Sequence, residues 1–171
     1  KRDKVELIEG KIVEKMPTDP PHVLTLELVY ELLRGACQPG WIIRTEAPLQ
    51  LEQSEPEPDA MIIRGPREQY AGRHPNPDDV LLVIEVSDST LRDDRNEMAR
   101  LYAEGRIPFY WIVNLKDRWL EVHSEPSGPG AAPAYTQKKV IAEDGTAILS
   151  FPDGMTAKLP VKGMFPTKSS E

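Results

Sequence analysis

The sequence predicts a mixed α/β (α+β) fold, a sheet flanked by helices, from the order and character of its apolar segments. An amphipathic stretch at residues 20–37 precedes strand-like runs, and a second one, at residues 91–105, is followed by further strands. The four aliphatic residues at 81–84 are apolar enough for an inner strand covered on both faces. With 171 residues and 39% hydrophobic content, the chain has the size of one domain covering residues 1–171.

The N-terminal elements are predicted from turn and capping signals. Alternating residues on either side of Glu9 and Gly10 predict an N-terminal hairpin. Asp19 is a predicted N-cap, and Pro20 occupies the first helical position, where its missing N–H costs nothing. The first helix should therefore begin at Pro20 and continue to about Cys37.

The remaining elements follow from apolar runs separated by Gly, Pro and polar residues. The second helix is predicted to end at Gly105. Between the helices a long Gly- and Pro-rich surface loop is expected at residues 65–79. The predicted strands are WIIRTEAPLQL, DAMIIR, LLVIEV, IPFYWIVN and WLEVHSEP, the last two forming a hairpin, and then AYTQKKVIA and TAILSFP as an antiparallel C-terminal extension.

Composition excludes several classes of protein. A formal charge of −7 and a pI near 5.1 give no general attraction to nucleic acid, so any such contact needs a local basic patch. The single cysteine, Cys37, allows no intrachain disulfide, which favours a reducing, cytoplasmic location. No apolar run approaches about 18 residues and no signal-like segment opens the chain, so we expect no membrane span.

Two carboxylates stand where two predicted strands meet. Asp59 opens one buried strand, and Glu85 lies 26 residues later at the exit of another. If these strands are antiparallel neighbours, both acids share one end of the sheet. Together with the backbone carbonyl of Val86 they would form a partial coordination shell for Mg²⁺ or Mn²⁺, completed by water and a substrate phosphate. The alternative is that Asp59 is a turn residue and Glu85 ends its strand at the surface.

The chain resembles the Uma-two family, restriction-type endonucleases of the PD-(D/E)XK nuclease superfamily. The resemblance covers roughly residues 5 to 124. The matching segments are VELIEGKIVEKMP with the following PPH, EPEPDAMII, VLLVIEVSDST, DDRNEMARLYAEGRIPFYWIVNL and WLEVHSEP. It implies a restriction-endonuclease-like mixed sheet flanked by helices, with one metal-dependent site.

The resemblance also assigns roles to individual residues. It makes Pro58-Asp59 the family's PD and Glu85 its acidic residue, which together would bind the catalytic ion. The superfamily's lysine falls at Ser87, whereas the family's own lysine, in a helical D-R-x-x-K segment, falls at Met98. A thioether cannot supply the charge of that lysine.

Other residues could contribute to the same site. Arg95 lies three residues before Met98 on one helical face, so it could stabilise charge but cannot act as a general base. Its alternative role is a surface ion pair. His22, at the start of the first helix, could position water or phosphate, or be a plain surface residue. Glu9 and Glu27 are weaker acidic candidates.

The favoured interpretation is a Mg²⁺-dependent DNA endonuclease that hydrolyses phosphodiesters through Asp59 and Glu85. Such an enzyme would often be a homodimer, because symmetric cutting of a duplex requires two sites. The alternative, favoured by Met98 and the acidic balance, is a catalytically silent nuclease-fold protein that binds nucleic acid or protein. The candidate basic surface, which could equally be solvated arginines balancing acids, consists of Arg64, Arg67, Arg73, Arg92 and Arg95.

Overall fold

A six-stranded mixed sheet forms the centre of the computed structural model, which describes residues 5–15 and 18–167. Its strand order is β3-β4-β5-β6-β7-β8, in which β5 and β6 are parallel and the other neighbouring pairs are antiparallel. A hairpin of β1 and β2 and a hairpin of β9 and β10 lie outside this sheet. The strands are β1 Val5–Ile8, β2 Lys11–Glu14, β3 Trp41–Thr45, β4 Ala60–Arg64, β5 Val80–Ser87, β6 Phe109–Asn114, β7 Trp119–Pro126, β8 Tyr135–Ala142, β9 Thr146–Ser150 and β10 Thr156–Pro160.

The first helix, α1, spans Pro20–Ala36 and begins as predicted. The side chain of Asp19 accepts a hydrogen bond from the backbone N–H of His22, which satisfies one of the free donors at the helix start. The remaining helical elements are α2 Leu91–Asp93, a π-helical segment Asp94–Met98 and α3 Ala99–Glu104, with short 3₁₀ turns at Arg67–Tyr70, Pro77–Asp79 and Val161–Met164.

Residues 91–104 form one helical stretch with a π-helical middle, here called the interrupted helix. It connects the parallel strands β5 and β6. The backbone N–H of Ala99 bonds to the carbonyl of Asp94, an i→i+5 contact that changes which side chains share a face. A uniform helical period therefore fails across this segment. The helical stretch ends at Gly105, as predicted, and the left-handed residue that follows is Arg106, with φ 59°.

Both faces of the sheet are covered, as the apolar character of residues 81–84 predicts. One core packs Val29 and Leu33 of α1 against side chains such as Ile62 and Ile84. The other packs α3 against alternate residues of the same strands, such as Val83. Because side chains alternate along a strand, Asp59 and Glu85 belong to the second face, beneath the interrupted helix.

The C-terminal strands are arranged differently from the prediction. Residues 135–142 are not part of a separate tail, because β8 pairs with β7 as an edge strand of the main sheet. The separate unit consists of β9 and β10, and β10 was not predicted. Side chains of both strands join the core that covers α1, which explains why this hairpin packs on the sheet.

Some sequence features lie outside the described residues. Met16 and Pro17 of the matching N-terminal segment are among them, as are the first four and last four residues of the predicted domain. In the described part of the chain, no helix has the length and hydrophobicity needed to cross a bilayer.

Candidate functional site

The pairing of β4 with β5 brings Asp59 and Glu85 together. Ala60 lies opposite Ile84 in this antiparallel pair. Continuing that register by one residue places Asp59 opposite Glu85, and opposite residues project their side chains from the same face. The structure therefore joins the two predicted acids at one end of the sheet.

Both carboxylates are buried and held by hydrogen bonds. Asp59 is 4% exposed and Glu85 is 9% exposed. The backbone N–H of Asp59 donates to Oε2 of Glu85 at 3.2 Å, and the Tyr102 hydroxyl donates to Oε1 at 2.8 Å. The backbone N–H of Val86 donates to Oδ2 of Asp59 at 2.8 Å. The N–H and C=O of a strand residue point to the same side, so the Val86 carbonyl also faces β4.

The positive charge near Glu85 does not offset the effect of its burial. Burial raises the pKa of the Glu85 carboxyl well above its usual range, and the charges of Asp59 and Asp94 raise it further. The Lys15 ammonium and the hydrogen bond from Tyr102 oppose this shift without cancelling it. A buried carboxylate in this situation is stabilised by any additional cation that reaches it.

Lys15 is a site residue that the sequence reasoning missed. Its Nζ lies 4.0 Å from Oδ1 of Asp59 and 3.5 Å from Oε1 of Glu6, and it donates a hydrogen bond to the backbone carbonyl of Glu57. Burial would lower the pKa of Lys15, but Glu85 and the other nearby carboxylates outweigh burial and raise it. Lys15 is therefore an ammonium at the wall of the site.

No local signal in the sequence identifies Lys15. It reaches the site because the N-terminal hairpin docks on the segment before β4, through backbone hydrogen bonds from Gly10 to Gln53 and from Glu55 to Leu7. The carboxylate of Glu6 also accepts the backbone N–H of Glu57 at 2.8 Å. These contacts span more than 40 residues in sequence, so only the tertiary structure reveals them.

His22 lies in the site and contacts the same Asp59 oxygen as the Val86 N–H. Its Nε2 is 3.0 Å from Oδ2 of Asp59. Burial would lower the pKa of the His22 imidazole, but the hydrogen bond to Asp59 and the charge of that carboxylate raise it. The N-cap of α1 fixes the backbone of His22, so the helix start orients this ring toward the carboxylates.

Asp94 is a third buried acid that the sequence reasoning did not select. Burial raises its pKa to about 6, although hydrogen bonds from the hydroxyls of Ser87 and Thr90 oppose the shift. Those hydroxyls lie 2.5 Å and 2.7 Å from Oδ2 of Asp94. Asp94 is the first residue of the π-helical segment. The only feature of the sequence that could have identified it as a site residue is its place as the Asp of the D-R-x-x-K segment.

Arg95 does not enter the site, which corrects its predicted role. Its guanidinium forms a bidentate ion pair with Glu121 on β7, with Nε 3.0 Å from Oε1. Trp119 Nε1 also donates to this fully buried carboxylate at 3.1 Å, and Lys138 Nζ lies 3.2 Å from it. The π-helical segment explains the error, because it begins at Asp94 and alters the angular offset between Arg95 and Met98.

Other candidates also lie away from the carboxylate pair. Glu9, in the hairpin turn, pairs with Arg100 at 2.5 Å. Glu27 is exposed on α1. Met98, where the resemblance places the family's lysine, does line the site, and its side chain is partly buried against the second core.

Three arginines of the predicted basic surface lie away from the site. Arg64 ends β4, which has five residues, so it lies about 16 Å along the strand from Asp59. Arg73 pairs with Asp79 and stacks 4.9 Å from the centre of the Tyr70 ring. Together with Arg67, which begins the 3₁₀ turn containing Tyr70, these arginines surround the other end of the sheet.

The carboxylate pair opens into a cavity of about 270 Å³. Lys15 and His22 are the basic residues among its described lining residues, which also include Val86 and Met98. Nine acidic residues line it as well: Glu6, Glu14, Asp19, Asp59, Glu85, Asp88, Asp93, Asp94 and Glu97. An anionic substrate would therefore need additional positive charge in the cavity in order to bind.

The donor set fits a hydrated divalent cation. Over residues 5–15 and 18–167, no group of three or more His, Cys, Asp or Glu side chains is arranged to hold a metal ion by itself. Mg²⁺ does not need one, because it is commonly held by one or two carboxylates and keeps several waters. Asp59, Glu85 and the Val86 carbonyl supply that kind of partial shell.

A solved structure shares this fold. The structure is similar to the crystal structure of a putative nuclease from Anabaena variabilis ATCC 29413, with a TM-score of 0.64 and 16% sequence identity. The match covers 94% of this chain and 89% of that chain. The two proteins therefore share one fold, built here as a mixed sheet with helices on both sides.

The family assignment follows from the sequence. A family model described as "Putative restriction endonuclease", Uma2, matches residues 1–162. The chain belongs to this family, which confirms the resemblance found in the sequence. No curated protein matches the chain.

Proposed function

We propose that this protein is a divalent-metal-dependent endonuclease that hydrolyses phosphodiester bonds of DNA at the cavity around Asp59 and Glu85. The observation that carries the proposal is the pair of buried carboxylates in adjoining register, one of them with its pKa raised by burial and by the other acids. Two hard oxygen donors that lack a sufficient counter-charge are the arrangement that a divalent cation stabilises. Membership of the Uma2 family supports the same class of reaction.

The protein groups have distinct parts in this proposal. Asp59 and Glu85 hold Mg²⁺ or Mn²⁺, and the Val86 carbonyl adds a neutral oxygen. When bound, the ion neutralises phosphodiester charge and lowers the pKa of an attacking water. The hydrogen bonds from Tyr102 and from the backbone N–H of Asp59 keep Glu85 in place. His22 orients Asp59 through its Nε2.

The need for a divalent ion follows from the charge of the cavity. A cavity lined by so many acids repels a bare phosphodiester, and a divalent ion reverses that local field. DNA is the proposed substrate, and a homodimer is the proposed assembly for cutting both strands of a duplex.

Cleavage of supercoiled plasmid with Mn²⁺ tests the proposal. The wild-type protein is expected to convert plasmid to nicked and linear forms, and Asp59→Asn to do so at least about 10³-fold more slowly, since it loses a charged ligand of the ion. Asp88→Asn is the matched control, because Asp88 lines the same cavity but is exposed. It should cut at the wild-type rate.

The same assay separates the alternative function. Met98 in place of the family's lysine favours a catalytically silent member that only binds nucleic acid or protein. Equal cutting by wild type and Asp59→Asn, or none by the wild type, would contradict the endonuclease proposal. Retained binding of DNA without cutting would support the silent member.

A further inference from the structure

We propose that Lys15 is the phosphate-binding cation of this site, contributed by the N-terminal hairpin rather than by the interrupted helix. This inference rests on the proposed nuclease function and adds a substrate-binding residue to it. Among the described residues that line the cavity, Lys15 is the only one that is a lysine or an arginine. Met98 lines the same cavity but carries no charge.

The geometry leaves Lys15 able to bind a second group. An ammonium has three donor hydrogens. One is used by the backbone carbonyl of Glu57, while Glu6 and Asp59 lie at the longer distances of 3.5 Å and 4.0 Å. Neither of those carboxylates forms a close hydrogen bond with Nζ. A phosphate oxygen entering the cavity can therefore compete for the remaining donors.

The position of Lys15 is fixed by the fold around it. The Glu57 carbonyl accepts a hydrogen bond from the Lys15 ammonium. The backbone N–H of Glu57 in turn donates to the Glu6 carboxylate, which fixes the position of that carbonyl. The lysine side chain is 17% exposed, so its aliphatic stem is packed while its charge faces the cavity. A preorganised cation close to a metal-binding carboxylate is where charge stabilisation of a transferring phosphoryl group is most effective.

The test exchanges the two residues. Lys15→Met, Met98→Lys and the Lys15→Met/Met98→Lys double variant are compared with wild type by single-turnover cleavage of labelled DNA with Mn²⁺. Lys15→Met should cut about 10²-fold to 10³-fold more slowly. The double variant should recover at least about tenfold over Lys15→Met, because an ammonium is returned to the same cavity. Lys11→Met, an exposed lysine of the same hairpin, is the control that should behave as wild type.

Two further readouts distinguish phosphate binding from a structural role. Titration with Mn²⁺ alone should show no loss of metal affinity in Lys15→Met, because a cation beside the carboxylates competes with the ion rather than helping it. Binding of a single-stranded oligonucleotide, measured with Ca²⁺ in place of Mn²⁺, should weaken. The slope of the logarithm of the binding constant against the logarithm of the salt concentration should become shallower by about 0.7, the amount for one lost phosphate contact on a single strand.

The outcomes separate this inference from the proposed function. Wild-type rates and wild-type DNA binding in Lys15→Met would overturn the assignment of Lys15 while leaving the endonuclease in place. A joint loss of metal affinity, DNA binding and melting temperature would also overturn it, in favour of a structural lysine. If the wild type does not cut, the proposed function fails. A selective loss of DNA binding in Lys15→Met would then still support the phosphate contact, and unchanged binding would refute it.

Discussion

Glu85→Gln is expected to raise the melting temperature of the metal-free protein at pH 7.5 while it abolishes metal-dependent cleavage. The Glu85 carboxylate is buried beside Asp59 and Asp94, so its charge opposes folding. Glutamine keeps the shape: its oxygen can accept the Asp59 N–H and its amide can donate to the Tyr102 hydroxyl. We expect a gain of about 2 kcal/mol, or roughly 5 °C, and a cleavage rate lower by about 10³-fold.

Melting curves with and without Mn²⁺ check this prediction. Binding of an ion to the folded state alone should raise the melting temperature of the wild type but not of Glu85→Gln. Glu14→Gln serves as the control, since Glu14 lines the cavity but is exposed. A Glu85→Gln variant that melts below wild type, or that keeps the full Mn²⁺-induced rise, would contradict the description of Glu85 as an uncompensated metal ligand.

Arg95→Ala is expected to destabilise the protein and to leave its chemistry unchanged. Arg95 donates to Glu121, whose side chain is fully buried, so its removal leaves that carboxylate short of partners. The Lys138 ammonium at 3.2 Å remains, which limits the expected cost to about 2 kcal/mol. Urea unfolding at pH 7.5 measures this cost, with Arg92→Ala, an exposed arginine four positions from Asn96, as the control.

The pH dependence of this cost follows from Glu121. Burial would raise the pKa of Glu121, but the contacts with His123, Arg95 and Trp119 hold it well below its usual range. A lowered pKa in the folded state contributes stability above the unfolded pKa of about 4.3, and that stability is lost as the pH falls further. The difference between wild type and Arg95→Ala should therefore shrink below about pH 4. An undiminished difference there, or a cleavage rate that falls with the mutation, would contradict a structural role for Arg95.

Local signals in the sequence predicted much of the fold. They also selected Asp59, Glu85 and His22 of the site, but not Lys15 or Asp94. The Asp19 cap, the N-terminal hairpin and the fully buried β5 depend on neighbouring residues and were confirmed. The approach of Asp59 to Glu85 was also predictable, because both acids flank strands that the long loop joins as antiparallel neighbours.

The errors share a physical origin in interactions that are distant in sequence or that break a regular period. Arg95 was misplaced because hydrogen bonding in the π-helical segment changes the face of the helix. Lys15 was missed because its position depends on how the hairpin docks on residues 53–57. The C-terminal strands were misassigned because edge pairing of β8 with β7 competes with pairing to β9, and periodicity alone cannot choose between them.

Anomalous diffraction from crystals soaked in Mn²⁺ is the most direct test of the central claim that Asp59 and Glu85 hold the ion that drives cleavage. We expect one anomalous peak in contact with both carboxylates, and we expect it to be lost in crystals of Asp59→Asn grown and soaked in the same way. A peak bound elsewhere in a protein that cuts DNA, or a peak that persists unchanged in Asp59→Asn, would contradict the claim.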